Sequence, residues 1–247
     1  MRAPRLVGIG VGPGDPELLT IAALREFRDA RQIFVPVLDP ADAGRAEAVV
    51  RAHLGADPKI QRLVFALNDA VDGPQLHRRQ RWDSAAEAVV AVLREHNGTA
   101  AFATLGDPAV YSTFRYLSAS VLELLPEAEI ATVPGITAMQ AAASAAGISL
   151  VEGAEPLTLL PLTRDVEALR RALAGGGTVV AYKGGRRFTE LAELIAAAGA
   201  TDRAVYAEHL GTPDQRVLPL SEADELVAPY LSAVLVPARR NGRGAQL

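Results

Sequence analysis

Two glycine- and proline-rich turns, each carrying an aspartate, constrain this chain more than any other feature. They read Val7-Gly8-Ile9-Gly10-Val11-Gly12-Pro13-Gly14-Asp15-Pro16 and Thr104-Leu105-Gly106-Asp107-Pro108-Ala109-Val110-Tyr111-Ser112. Each follows an apolar run and precedes a helix-like pattern. Glycine lets backbone approach a ligand closely, and proline fixes φ while withholding a donor. Such loops belong outside the carboxyl ends of strands in an open α/β sheet, where ligands bind. The first turn is not a dinucleotide fingerprint: counting from Gly8 or from Gly10, the third required glycine falls on Pro13 or Asp15. No Gly-Lys-Ser/Thr follows, so it is not a Walker A loop either.

The rest of the chain alternates apolar runs with amphipathic stretches in the βαβ manner. Strands are expected at Leu6–Val11, Ile33–Val37, Thr99–Thr104 and Ile130–Val133. Helices are expected at Glu17–Arg28, Ala41–His53, Ser84–Glu95 (Ser84 as N-cap, Glu87 completing a capping box), Ser112–Leu125 and Ile136–Ala146. Gly147 to Gly153 breaks the pattern, dividing the chain into domains 1–148 and 149–247. Beyond it, strands are expected at Pro156–Leu160, Thr178–Tyr182, Ala204–Glu208, Arg216–Leu218 and Leu231–Val236, with helices at Asp165–Leu173 and Phe188–Ala198. The close spacing of these strands predicts a mixed sheet. Arg239 to Leu247 reads as a frayed tail.

At 247 residues, 49% hydrophobic and 22% charged, the chain can bury one large core or two modest ones. It has no cysteine, and His53, His77, His96 and His209 show no ligand spacing, so no protein-bound metal is expected. No apolar run reaches the roughly 20 residues that span a bilayer, and the start does not read as a signal peptide. A cytoplasmic location, with no membrane partner, is the expectation.

The ordered set Gly-x-Gly-x-Gly-Pro-Gly-Asp-Pro-Glu-Leu-Leu-Thr, Leu-Gly-Asp-Pro-x-x-Tyr-Ser-Thr and Val133-Pro134-Gly135-Ile136-Thr137-Ala138 resembles the tetrapyrrole methylases. The likeness runs from about Leu6 to Val236 and is strongest to the branch that methylates carbon 20 of precorrin-2. It implies the class III methyltransferase fold: two α/β domains, each a sheet flanked by helices, with the active site in the cleft between them. It also implies S-adenosylmethionine as methyl donor and a homodimer. Carried over by position, Pro13 lies near the donor, while Leu105, Gly106 and Asp107 embrace its methionine end, with Val110 as a wall. Thr137 and Ala138 offer backbone amides at a helix start. Lys183 stands where the family often has methionine, and otherwise reads as an exposed strand-end lysine. Leu210 or Gly211 makes the adenine-side contact, depending on where a gap is placed.

Asp15 reads first as an N-cap, whereas Asp107, between Gly106 and Pro108, reads first as a ligand group. Tyr111 is the candidate catalytic residue, with core packing as its other reading; the hydroxyl of Ser112 could cap a helix or face substrate. Uroporphyrinogen methyltransferases of the family have Tyr-Asp-Arg after the second strand, and that aspartate is their proposed proton acceptor. Here the segment is Val35-Pro36-Val37, which removes that base and names no other. The segment Glu152-Gly153-Ala154-Glu155-Pro156-Leu157 instead resembles the C-20 branch.

Precorrin-2 carries eight carboxylates, yet the chain's net charge is −4, so local basicity must steer it. The run His77-Arg78-Arg79-Gln80-Arg81-Trp82 is the densest candidate, with Trp82 able to lie against a macrocycle; Arg115, Arg186 and Arg187 are further cations. Its plain reading is a solvated face ahead of a helix. Ribosomal-RNA 2′-O-methyltransferases and diphthine synthase share the fold, but a pI of about 5.6 offers no nucleic-acid footprint. A Rossmann dehydrogenase is disfavoured by Pro13, and a noncatalytic nucleotide-binding module remains as the alternative from another class.

Overall fold

The computed structural model describes residues 3–65, 75–96, 98–162, 165–183, 187–223, 228–229, 231–240 and 242. They form two compact units, Met1–Thr137 and Ala138–Leu247.

In the first unit, β1 (Arg5–Gly10), β2 (Gln32–Val37), β3 (Ile60–Val64), β4 (Thr99–Thr104) and β5 (Glu129–Val133) make one sheet in the order β3-β2-β4-β1-β5. Every pairing is parallel. Parallel sheets need both faces covered. On one face α1 (Ile21–Asp29) and α2 (Arg45–Leu54) pack Phe27, Val49 and Val50 onto Val7, Ile9 and Val35. On the other, α3 (Gln75–His96) and α4 (Phe114–Leu124) pack Val89, Leu93, Leu117 and Val121 onto Leu6, Phe34 and Phe102.

Several boundaries differ from the sequence reading. The segment expected as one helix from Glu17 is a short 3-10 turn, Pro16–Leu18, followed by α1, whose N-cap Thr20 accepts from the Ala23 amide. Helix α3 starts at Gln75, so Ser84 lies inside it and is no cap. β3 was not expected: it is short, and the burial of Ile60–Val64 alternates too weakly to stand out as an apolar run.

In the second unit, β6 (Leu157–Pro161), β7 (Thr178–Tyr182), β8 (Val205–Glu208), β9 (Arg216–Pro219) and β10 (Ser232–Val236) form a sheet in the order β6-β7-β10-β8-β9. β6 and β7 are parallel and the other pairings antiparallel, the mixed sheet that strand spacing predicted. α6 (Glu167–Ala174) and α7 (Phe188–Ala197) cover one face. α5 (Ala138–Ala146) covers the other, packing Ala142 and Ala143 with Val180, Ala207 and Leu235. This helix therefore belongs with the second core, and the chain divides between Thr137 and Ala138 rather than after Ile148.

Two ionic clusters lock connections. Glu47, 1% exposed, receives the Nε atoms of Arg51 and Arg62 at 2.7 Å each. Burial pushes its carboxyl up, but the two guanidiniums outweigh this and hold it below the ordinary carboxylate value. The segment after β10 is not frayed through Arg240. That side chain grips Glu155 with Nε (2.9 Å) and Nη2 (2.7 Å), meets Glu152 at 3.5 Å and donates to the Ser149 carbonyl at 3.2 Å.

Candidate active site at the carboxyl end of the first sheet

β1 and β4 are neighbours, yet the chain leaves β1 for α1 on one face and β4 for α4 on the other. Adjacent strands whose connections diverge open a crevice at their carboxyl ends, the usual ligand site of an open α/β sheet. The two turns singled out from sequence meet there. Gly12 and Gly106 form an antiparallel bridge, with Gly106 N donating to Gly12 O at 2.7 Å and Gly12 N to Gly106 O at 3.3 Å.

The loop after β5 joins them. A Cβ on Gly10 would sit 2.6 Å from both Gly106 O and Gly135 N, so three loops converge where no side chain fits. Gly8 serves packing instead: a Cβ there would lie 2.5 Å from the Phe114 ring. Neither Gly10 nor Gly135 was singled out as a site residue, although the repeated glycines around them were the available signal.

Asp107 fastens this junction. Its Oδ1 accepts from Ala109 N at 2.7 Å, which shapes the Gly-Asp-Pro turn, and its Oδ2 accepts from Gly135 N at 2.9 Å, across loops. An ionised carboxylate has about four acceptor positions, so these bonds leave room for a further donor. Asp15 accepts from Glu17 N at 2.9 Å and caps the 3-10 turn, as the capping reading expected. Pro13 is buried in the first loop, and Leu105 and Val110 are half-buried in the second.

Gly106 has φ +72°, and the place its Cβ would take has no atom within 4 Å. Open space thus lies over bare backbone beside the Asp107 carboxylate.

Tyr111 follows with φ +50°, a conformation disfavoured for a residue with a side chain, and is 41% exposed. It is therefore not a core residue. Burial of the phenol raises its pKa above the ordinary tyrosine value, so at neutral pH it is a hydrogen-bond donor and not an anionic base. The Ser112 hydroxyl, one residue before the N-cap Thr113, accepts from Phe114 N (3.1 Å) and bonds Thr104 Oγ1 (2.9 Å).

Helix α3 runs back from the carboxyl end of the sheet to β4, so its first turns stand at the same end as these loops. Arg78, Arg79 and Arg81 are in those turns, the last two exposed, and Arg115 is exposed in the first turn of α4. Trp82 is stacked on Tyr116 of α4, with ring centroids 4.4 Å apart and planes 7° from parallel. The indole thus already has an aromatic neighbour on one face. Tyr116, 44% exposed, is an aromatic that sequence reasoning missed.

Thr137, buried, ends the first unit, and Ala138 opens α5 in the second. In that second unit the Met139 amide donates to the Tyr182 hydroxyl at 3.2 Å. Lys183 follows β7, Leu210 is buried, and the Gly211 amide donates to Gln215 Oε1 at 2.8 Å, which occupies that donor. Arg186 lies outside the described residues. Arg187 pairs with Glu190 at 3.7 Å.

Comparison with known proteins gives the family. The family model for tetrapyrrole (corrin/porphyrin) methylases matches residues 5–224. The chain belongs to the tetrapyrrole methylases. Among relatives, it is 34% identical over 237 residues to precorrin-2 C(20)-methyltransferase of a Sinorhizobium species, covering 94% of this chain and 95% of that one. It is 27% identical to cobalt-precorrin-2 C(20)-methyltransferase of Salmonella typhimurium, over 94% of this chain and 95% of that protein. The crystal structure of the methyltransferase CobJ superposes with a TM-score of 0.67 at 24% identity, covering 97% of this chain and 98% of that one, and so shares the fold. Among the described residues of this methylase, no helix is long and apolar enough to cross a membrane.

Proposed function

We propose that this methylase transfers a methyl group from S-adenosylmethionine to carbon 20 of precorrin-2, free or carrying cobalt as part of the substrate, giving precorrin-3A or its cobalt form. One observation carries the reading: 34% identity to a precorrin-2 C(20)-methyltransferase along 94% of this chain and 95% of that enzyme.

The donor supplies a methyl group already activated on a sulfonium. A bond forms from an electron-rich ring carbon to that methyl, the sulfur–methyl bond breaks, and the carbon loses its proton. The chain's contribution is therefore positional. Holding the partners in line can lower the barrier by about 7–11 kcal/mol. In this proposal the bare backbone of Gly106 and the carboxylate of Asp107 hold the methionine end, and Pro13, Leu105 and Val110 exclude water. Tyr111 orients the macrocycle as a neutral donor. With Pro36 in β2, no carboxylate of that strand takes the proton. Arg79, Arg81 and Arg115, around the Trp82–Tyr116 pair, receive substrate carboxylates; arginine suits this because its planar fork pairs two oxygens. The enzyme acts as a cytoplasmic homodimer, as family resemblance implies.

The test offers metal-free and cobalt-loaded precorrin-2 side by side with S-adenosylmethionine, reading S-adenosylhomocysteine release and product mass. One added methyl at carbon 20 of either is expected. Methylation of another tetrapyrrole with neither of these used would overturn the reading.

A further inference from the structure

Tyr111 keeps its left-handed backbone (φ +50°) near the end of a loop that is tied down along its length. Such backbone is unfavourable for a residue with a side chain and persists where surrounding structure enforces it, commonly at functional sites. The near end of the loop is held by the Gly12–Gly106 bridge. Its middle is held by Asp107, whose side chain accepts from Ala109 N and Gly135 N and whose carbonyl accepts from Val110 N at 3.2 Å. The far end is held by a pair of hydroxyls.

Thr104 is the last residue of β4. Side chains alternate across a strand, so Thr104 is in phase with Ala100 and Phe102, which pack under α3 and α4, and not with Ala101 and Ala103 on the opposite face. It therefore faces the side from which α4 starts. Its Oγ1 lies 2.9 Å from Ser112 Oγ, which also accepts from Phe114 N. The threonine is buried, so this bond forms where water competes little and where a hydroxyl left without a partner would be costly. On the main-chain side, the Thr104 carbonyl accepts from Val11 N at 2.9 Å. One residue is thus joined through its carbonyl to the first turn and through its hydroxyl to the residue after Tyr111.

We propose that Thr104 and Ser112 form a clasp that sets Tyr111 in register with Gly106 and Asp107, which makes both of them positioning residues for methyl transfer. The role rests on the function proposed above, in which one end of this loop meets the donor and the other the macrocycle. Transfer in line depends on the spacing of those two ends, and a misplacement of about 1 Å can cost about 100-fold in rate.

Steady-state kinetics with S-adenosylmethionine and precorrin-2 test the clasp. Thr104→Val keeps the side-chain shape and removes the hydroxyl. Its kcat is expected to fall about tenfold while KM for both substrates stays within about twofold, and Thr104→Ser should restore kcat. Tyr111→Phe should lower kcat by at least as much, and it supplies the decisive comparison, because a residue that acts through the phenol has nothing to act on once the phenol is gone. Adding Thr104→Val to Tyr111→Phe should therefore lower kcat by less than about twofold more; losses that multiply overturn the proposal. So does a Thr104→Val enzyme with lower Tm and unchanged kcat, in which the hydroxyl pair is a structural bond alone. Should Thr104→Val not fold, Ser112→Ala opens the clasp from its other side, and the same cycle with Tyr111→Phe decides. Wild-type turnover of precorrin-2, measured first, tests the substrate reading by itself. Its absence removes that reading and the clasp with it, whereas an active wild type with independent variants removes the clasp alone.

Discussion

Asp107 shows how much one side chain can settle. Sequence reasoning assigned it to the ligand, and the structure gives it two backbone donors from two loops, Ala109 N and Gly135 N. The two roles are compatible, because the bonds that fix the carboxylate also aim its remaining lone pairs. Asp107→Asn must turn an NH2 group toward one of those backbone donors and lose that bond. Bonds to charged groups are worth about 1.5–3 kcal/mol, so urea unfolding should show a loss of about that size. The dissociation constant for S-adenosylmethionine, by calorimetry, should weaken in parallel. A variant of wild-type stability with weaker donor binding would make the carboxylate purely a ligand group.

At the scale of elements, the crevice depends on where strands part. β2 pairs with β4 only through Phe34, while its pairing with β3 continues to Val37. Pro36 therefore lies past the end of the β2–β4 ladder, where a missing N–H costs little. The connections around the sheet are tied by ions. Glu47 has a lowered folded pKa, so its contribution is complete above the unfolded value and is lost as pH falls through the folded one. Glu47→Gln should flatten that acid limb of the stability profile. Replacing Arg51 and Arg62 together by Ala, which leaves a buried carboxylate unpaired, should cost about 3–5 kcal/mol in the same measurement. In the second unit, Arg240→Ala removes the grip on Glu155 and Ser149. Amide exchange across residues 149–155 should then accelerate, with exchange in β10 unchanged.

For the whole molecule, charge placement matters more than charge. A protein of net charge −4 repels an octacarboxylate at long range, and only local cations reverse that. Arg79 and Arg81 are exposed at the sheet end that carries the loops. Arg79→Ala with Arg81→Ala should raise KM for precorrin-2 by about tenfold, near 1.4 kcal/mol, and should flatten its rise between low and high salt. A solvated face with no substrate role would leave both unchanged.

The sequence by itself determined the family, the two loops and most strands, because glycine, proline and aspartate at fixed spacing have few structural uses and apolar runs mark buried strands. The start of α3 was hidden, since its first two turns, largely polar and rich in arginine, carry no apolar period to read. So was the Arg240 grip, which joins residues 85 apart in the chain. Only tertiary structure placed α5 with the second core and stacked Trp82 on Tyr116. Each of these follows from strand order and backbone conformation, which depend on contacts distant in sequence and therefore leave no local pattern.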